Sequence, residues 1–248
     1  MASIVAADLV QYHAATQSDV DGSTVGGAID TLRRPDFTQV TAGDTVEAIS
    51  SNAGDTTQTL TIRARKADGT IVSETKTLNG TTAVVFSTIA AVDRILKAEL
   101  SATTTGSITV RKNSAGATFR IIPAGERGFS AVFREGTSST TAAVDYYAKT
   151  FWKNTNGTNA LLGATITESA DPSGTITHGV AASVNDSGTT TNRQTAPAGV
   201  TFAGTAATVP GTDLASGAAI GLWLNMHLAT NNAPIRSTYT SQLAGSTT

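Results

Sequence analysis

An all-β protein is what this sequence predicts, on three observations. Alternating apolar and polar residues recur over strand-length stretches, Asp-Gly and Asn-Gly pairs punctuate them, and threonine is the most abundant residue type. Alternation gives a strand one buried and one solvated face. Asp-Gly and Asn-Gly tolerate the positive φ of two-residue hairpin turns. Threonine, branched at Cβ, suits a pleated surface. No segment demands a helix longer than two turns. The expected architecture is therefore two tandem antiparallel β-sandwich domains of the immunoglobulin-like (Ig-like) kind, each of about 100 residues, behind an N-terminal extended arm.

Residues 1–36 form the expected arm. Ile4, Val5, Leu9 and Val10 are apolar, but Asp19-Val20-Asp21-Gly22 and Gly26-Gly27 break any helix early, and Arg33-Arg34-Pro35 closes the segment. Such a piece builds no core of its own, so its apolar side chains are expected on a neighbouring subunit, the alternative being a frayed terminus. Residues 37–136 form the first expected domain. Thr45 to Ile49 is a strand. Leu60, Ile62 and Ala64 alternate with Thr61, Arg63 and Arg65, Asp68-Gly69 turns the chain, and Ile71 to Leu78 returns it before Asn79-Gly80 repeats the device. Ile89, Val92, Ile95 and Leu96 have helical spacing whereas Leu96, Ala98 and Leu100 alternate, so a turn of helix leading into a strand is expected there. Ser107 to Arg111, Thr118 to Ile122 and Phe129 to Phe133 complete the domain.

The polar stretch Gly136 to Thr141 marks a boundary, and residues 141–248 form the second expected domain. Val144, Tyr146, Ala148, Thr150 and Trp152 share one face of a long strand. Asn154-Thr155-Asn156-Gly157 turns the chain, and Leu162, Ala164 and Ile166 return it. Asp171-Pro172-Ser173-Gly174 is a second turn. Ile220, Leu222, Leu224, Met226 and Leu228 give the cleanest alternation in the sequence, which buries Leu222 and Leu224 and sets Trp223 on the opposite face.

Composition narrows the function. The 248 residues carry a formal net charge of −2, with only 15% charged residues. That leaves no broad positive field for nucleic acid or an anionic membrane. With no cysteine, disulfides and thiolate metal sites are excluded, and stability must come from packing, hairpins or subunit contacts. No basic, apolar leader opens the sequence and no run of about 18 apolar residues occurs, so neither signal-peptide export nor a membrane span is expected.

Catalysis needs convergent titratable groups, and the sequence shows none. His13, His178 and His227 are scattered without metal-ligand spacing. Nucleophile elbows, phosphate loops and dinucleotide fingerprints are absent, so no cofactor is expected. Asp19-Val20-Asp21-Gly22 is a fragment of a calcium loop without its remaining ligands and closing glutamate. Asn79-Gly80-Thr81, Asn156-Gly157-Thr158 and Asn185-Asp186-Ser187 match the glycosylation triplet but read as turns. Tyr146, Tyr147, Phe151 and Trp152 offer either a core and a contact face or a platform for stacking sugar rings. The candidate interaction residues are Ile4, Val5, Leu9, Val10, Tyr147, Phe151, Trp152 and Trp223.

Four stretches, SDVDGSTVGGAIDT, GDTTQTLTIRARKADGTIVSETKTLNGTT, FWKNTNGTNALLGATITESADPSGTI and VPGTDLASGAAIGLWLNMHL, together resemble virion structural proteins of tailed bacteriophages. The resemblance implies a non-enzymatic component of the virion, assembled in the host cytoplasm. Its expected form is a capsid decoration (cement) protein, homo-oligomeric and in contact with the major capsid protein. A neck, tail or baseplate component is the alternative within the virion, and a carbohydrate-binding adhesin module the alternative outside that class. The resemblance carries over no functional residue.

Overall fold

The computed structural model describes residues 3–233 and 237–247. Its strands are β1 (Leu9–Thr16), β2 (Gly26–Asp30), β3 (Arg33–Arg34), β4 (Val46–Ser50), β5 (Thr59–Lys66), β6 (Ile71–Thr77), β7 (Val84–Phe86), β8 (Val92–Leu100), β9 (Ile108–Lys112), β10 (Thr118–Ile122), β11 (Gly128–Ser130), β12 (Val144–Asn154), β13 (Leu162–Ala170), β14 (Ile176–Val184), β15 (Ala207–Thr208), β16 (Ala219–Leu228) and β17 (Thr240–Ser246). Among the described residues the one helical turn is the 3-10 piece Ala6–Asp8. The chain is all-β.

It divides into two compact units, and the division is not in tandem. Thr31–Arg134 is one unit, while residues up to Asp30 join those from Glu135 onward in the other. The first is thus an insertion in the sequence of the second. We call them the inserted unit and the split unit.

The inserted unit has two sheets, ordered β10-β9-β4-β7 and β3-β11-β8-β5-β6. Their inward residues form one cluster: Val46 and Ala48 from the first sheet with Leu60, Ile62, Ala64, Ile95 and Leu100 from the second. Leu60 and Ile62 are fully buried, and burying such a side chain is worth about 1.5–3 kcal/mol. The Asp68-Gly69 hairpin forms, but not by the expected two-residue turn: Gly69 N donates to Lys66 O at 2.9 Å, which makes Ala67 and Asp68 the central turn residues, and of Asp68 and Gly69 only the glycine takes a positive φ. Gly69 has φ 88°, Lys66 N donates to Thr70 O at 2.9 Å, and Thr70 N donates to Asp68 Oδ1 at 2.8 Å.

Three further local expectations need correction here. The helical turn before β8 does not form. Arg63 pairs with Lys97 and Ala64 with Ile95, so Leu96 is a β-bulge, and one extra residue on a strand reproduces helix-like spacing. Asn79-Gly80 turns the chain, with Thr82 N on Asn79 O at 2.9 Å, but β6 and β7 lie in different sheets. The strand expected through Phe133 ends at Ser130.

The split unit is built on a five-stranded sheet, β14-β16-β12-β1-β2, and a three-stranded one, β15-β13-β17. The expected arm is corrected by this topology. Leu9 to His13 pair antiparallel with Asn154 to Thr150, so β1 is a strand of the sheet, and β2 extends it from the other side. Leu9 and Val10, which seemed to lack a partner, pair with Asn154 and Lys153 far along the chain, while Ile4 and Val5 precede the strand. The turn at 154–157 does not make a hairpin either. β12 pairs with β16 and β1, whereas β13 crosses to the small sheet and pairs with β17 and β15.

Candidate functional site

The most unusual side chain in the molecule is Lys149, at the middle of β12. It stands opposite Trp223 on β16, two pairs along from Phe151 and Gly221 on the same face, and its side chain has no exposed surface. An isolated ammonium there would be prohibitively desolvated, so partners are required. Lys149 Nζ donates to Gly27 O at 3.1 Å, Gly188 O at 3.2 Å and Asp186 O at 3.4 Å, and it pairs with Asp186 Oδ1. The Phe151 and Trp223 ring centroids lie 4.8 and 5.3 Å away. Burial pushes the Lys149 pKa below the usual lysine range, against the raising effect of Asp186. Gly221 leaves the room this requires, since a Cβ there would sit 2.7 Å from Lys149 Cε.

These bonds tie the edge strand β2 and the loop after β14 to the middle strand of the sheet. Gly27 belongs to β2, and Asp186 and Gly188 belong to the loop after β14. The segments also hold one another: Gly27 N donates to Gly188 O at 2.9 Å and Thr190 N to Val25 O at 2.9 Å. Gly188 N closes the loop on Asp186 Oδ2 at 3.0 Å. Further along, Arg193, only 5% exposed, stacks 4.2 Å from the Tyr146 ring and donates to Glu135 O at 2.6 Å and Ser18 O at 3.4 Å. Its Nε lies 3.1 Å from Asp21 Oδ1, an ion pair out of line for a hydrogen bond. Asp21 of the calcium-like fragment therefore faces an arginine. Among the described residues no group of three His, Asp or Glu side chains is placed to hold a metal ion.

The sequence-derived candidates are distributed as follows. Phe151 is fully buried, Trp223 2% exposed and Tyr147 9% exposed, covered by the split unit's own segments, with Phe202 5.4 Å from Tyr147 ring to ring. These three are corrected from contact residues to interior ones. Trp152 is half-buried, and its indole N–H donates to Ser241 Oγ at 3.3 Å, which also accepts from Gln11 Nε2 at 3.0 Å. Ile4, Leu9 and Val10 are partly buried, and Val5 is 56% exposed. Only the N-terminal members and Trp152 keep accessible surface.

The histidines serve separate places. His13 Nδ1 meets Gln17 Nε2 at 2.6 Å, His227 Nδ1 meets Asp145 at 2.9 Å at the surface, and His178, 1% exposed, meets the Tyr239 hydroxyl at 2.8 Å. In the inserted unit the comparable feature is Asp55, 1% exposed, which accepts from Ser50 Oγ at 2.6 Å and from Thr105 N and Gly106 N at 2.9 Å. An open groove of about 520 Å³ beside β10 is lined by Asp36, Phe37, Thr38, Phe119, Arg120 and Ile121. Its charged members, Arg120 and Asp36, pair with each other. Sequence reasoning passed over Lys149 and Asp55. The one signal for Lys149 was a charge at an inward position of an aromatic strand, next to Phe151.

Comparison with protein-family models, with curated proteins and with solved structures gave no match. No helix among the described residues is long and apolar enough to cross a membrane.

Proposed function

We propose that the chain is a non-enzymatic virion structural protein of a tailed bacteriophage. It works as a capsid decoration protein that binds the outside of the head as a homo-oligomer, against the major capsid protein. The four resembling stretches are the ground for the class. The observation in the structure that supports it is the use of the buried charges. Lys149, Arg193 and Asp55 each bond backbone groups of their own unit and hold loops on sheets. Charges so engaged give a rigid scaffold for presenting surface, the property a shell-bridging protein needs. The inserted unit, with two sheets over shared apolar residues, and the split unit, with a five-stranded and a three-stranded sheet, are each read as a sandwich of the Ig-like kind.

The mechanism is additive contact. A protein bridging shell subunits adds its own interface, typically about 1,200–2,000 Å² for a specific contact, and repetition over the shell multiplies the effect by avidity. The adhesin reading loses its platform, because Phe151 and Tyr147 are interior and the Trp152 N–H is engaged. Imaging of purified particles with the chain labelled tests the proposal. Label over the head surface supports decoration, label confined to the neck or tail moves the protein there, and particles without label overturn the virion reading.

A further inference from the structure

Lys149 and Asp186 have a second chemical option besides an ion pair. We propose that they condense to an intramolecular amide, a covalent bond from β12 to the loop after β14. The inference is independent of the virion reading. It rests on where the two side chains are held and on what surrounds them.

An amine attacks a carboxyl group only when the amine is neutral and the carboxyl is protonated, a combination that water disfavours and an apolar enclosure favours. The Lys149 side chain is wholly enclosed while Asp186 is 24% exposed, and Nζ has the Phe151 and Trp223 rings at 4.8 and 5.3 Å on one side and the Gly27, Gly188 and Asp186 carbonyls on the other, so the enclosure acts on the amine. Moving the shared proton from Nζ to Asp186 Oδ1 gives the neutral pair without any outside base. Asp186 is held for attack, because Gly188 N donates to Oδ2 at 3.0 Å and so faces the oxygen on which charge develops. Contact geometry fixed by a fold replaces a bimolecular encounter, and effective molarities of about 10⁵–10⁸ M are reached in well-oriented intramolecular reactions.

The step balances without a co-reactant. The Nζ–Cγ bond forms and the Cγ–Oδ1 bond breaks. Oδ1 leaves as water, carrying the carboxyl proton and one amine proton. The remaining amide N–H points at the carbonyl of Gly27, which already lies 3.1 Å from Nζ, and Oδ2 keeps its bond to Gly188 N as the amide oxygen. The enclosed ammonium and its partly exposed carboxylate partner both lose their charge, which removes the desolvation cost of the buried lysine.

Intact mass spectrometry of the purified, denatured full chain tests the proposal. The expected mass is the sequence mass less one water, and trypsin should fail to cut after Lys149 and instead release a branched peptide joining the Lys149 and Asp186 fragments. Lys149→Arg and Asp186→Ala should each restore the full sequence mass. A wild-type chain of full mass overturns the proposal. So does a water loss that maps to a cyclised Asp-Gly pair such as Asp68-Gly69, with normal cleavage at Lys149.

Discussion

Gly26 and Trp223 are packed so closely that a β-carbon on Gly26 would lie 2.7 Å from Trp223 Cη2 and 2.7 Å from Gly188 O. Gly26 also has φ 104°, a conformation L side chains rarely adopt. The start of β2, the inner strand β16 and the loop after β14 therefore meet at a point where only glycine fits. Gly26→Ala is expected to destabilise the split unit by about 1–3 kcal/mol, the usual cost of a strained backbone position. Thermal unfolding of the variant beside Gly22→Ala, where a β-carbon meets nothing within 4 Å, checks it. Equal melting of the two variants would deny the close packing.

The split architecture predicts an asymmetry between deletions. The inserted unit, Thr31–Arg134, is continuous and holds its own core, so an isolated 31–134 fragment should fold cooperatively. A chain beginning at residue 31 should lose the split unit's cooperative transition, because β1 and β2 leave the sheet and Gly27 no longer accepts from Lys149. Hydrogen exchange read at Tyr147 to Trp152 distinguishes this from a free arm, which would leave protection unchanged.

Leu224 is 4% exposed and Leu222 1%, while the neighbouring Trp223 is buried on the other face of the same strand. Leu224→Ala should cost about 2–5 kcal/mol through lost transfer energy and the cavity left behind. Chemical denaturation of the full chain measures it, and a midpoint within error of the parent would contradict the register that pairs Leu224 with Ala148.

Acid should loosen the split unit before carboxylates are titrated. Burial pushes the His178 pKa below its ordinary 6.5, against the raising charge of Glu168. The unfolded chain then binds a proton more readily than the folded one, so stability is full above about pH 6.5 and falls as pH drops through that value toward the depressed pKa. The carboxylate of Asp171 in the same unit, also depressed, loses its contribution only below its ordinary 3.8. Melting of the split unit at pH 8 and pH 5 should differ in the parent and much less in His178→Gln. An equal pH dependence in both would place the effect elsewhere.

The sequence was most legible where structure is local. Asp68-Gly69 writes its hairpin in adjacent residues, and Leu60, Ile62 and Ala64 alternate because a polar neighbour separates each pair. Thr118 to Ile122 was readable to the residue, since Pro123 has no N–H to continue the ladder. Legibility failed where partners are remote. Leu9 and Val10 looked unclaimed because Asn154 and Lys153 lie beyond an entire inserted unit. The bulge at Leu96 imitated a helical period with strand geometry. Lys149 went unread because charge normally marks a solvated face. Its burial depends on carbonyls at Gly27 and Gly188 that no local pattern announces.

The proposed role is tested most directly by counting this chain in purified particles against the major capsid protein, using quantitative mass spectrometry with labelled standards. A decoration protein repeats with the shell, so the account predicts a copy number in a simple ratio to the capsid subunits, retained after particles are washed at high salt. A chain absent from particles, or present at a small fraction of the capsid subunits, would contradict it.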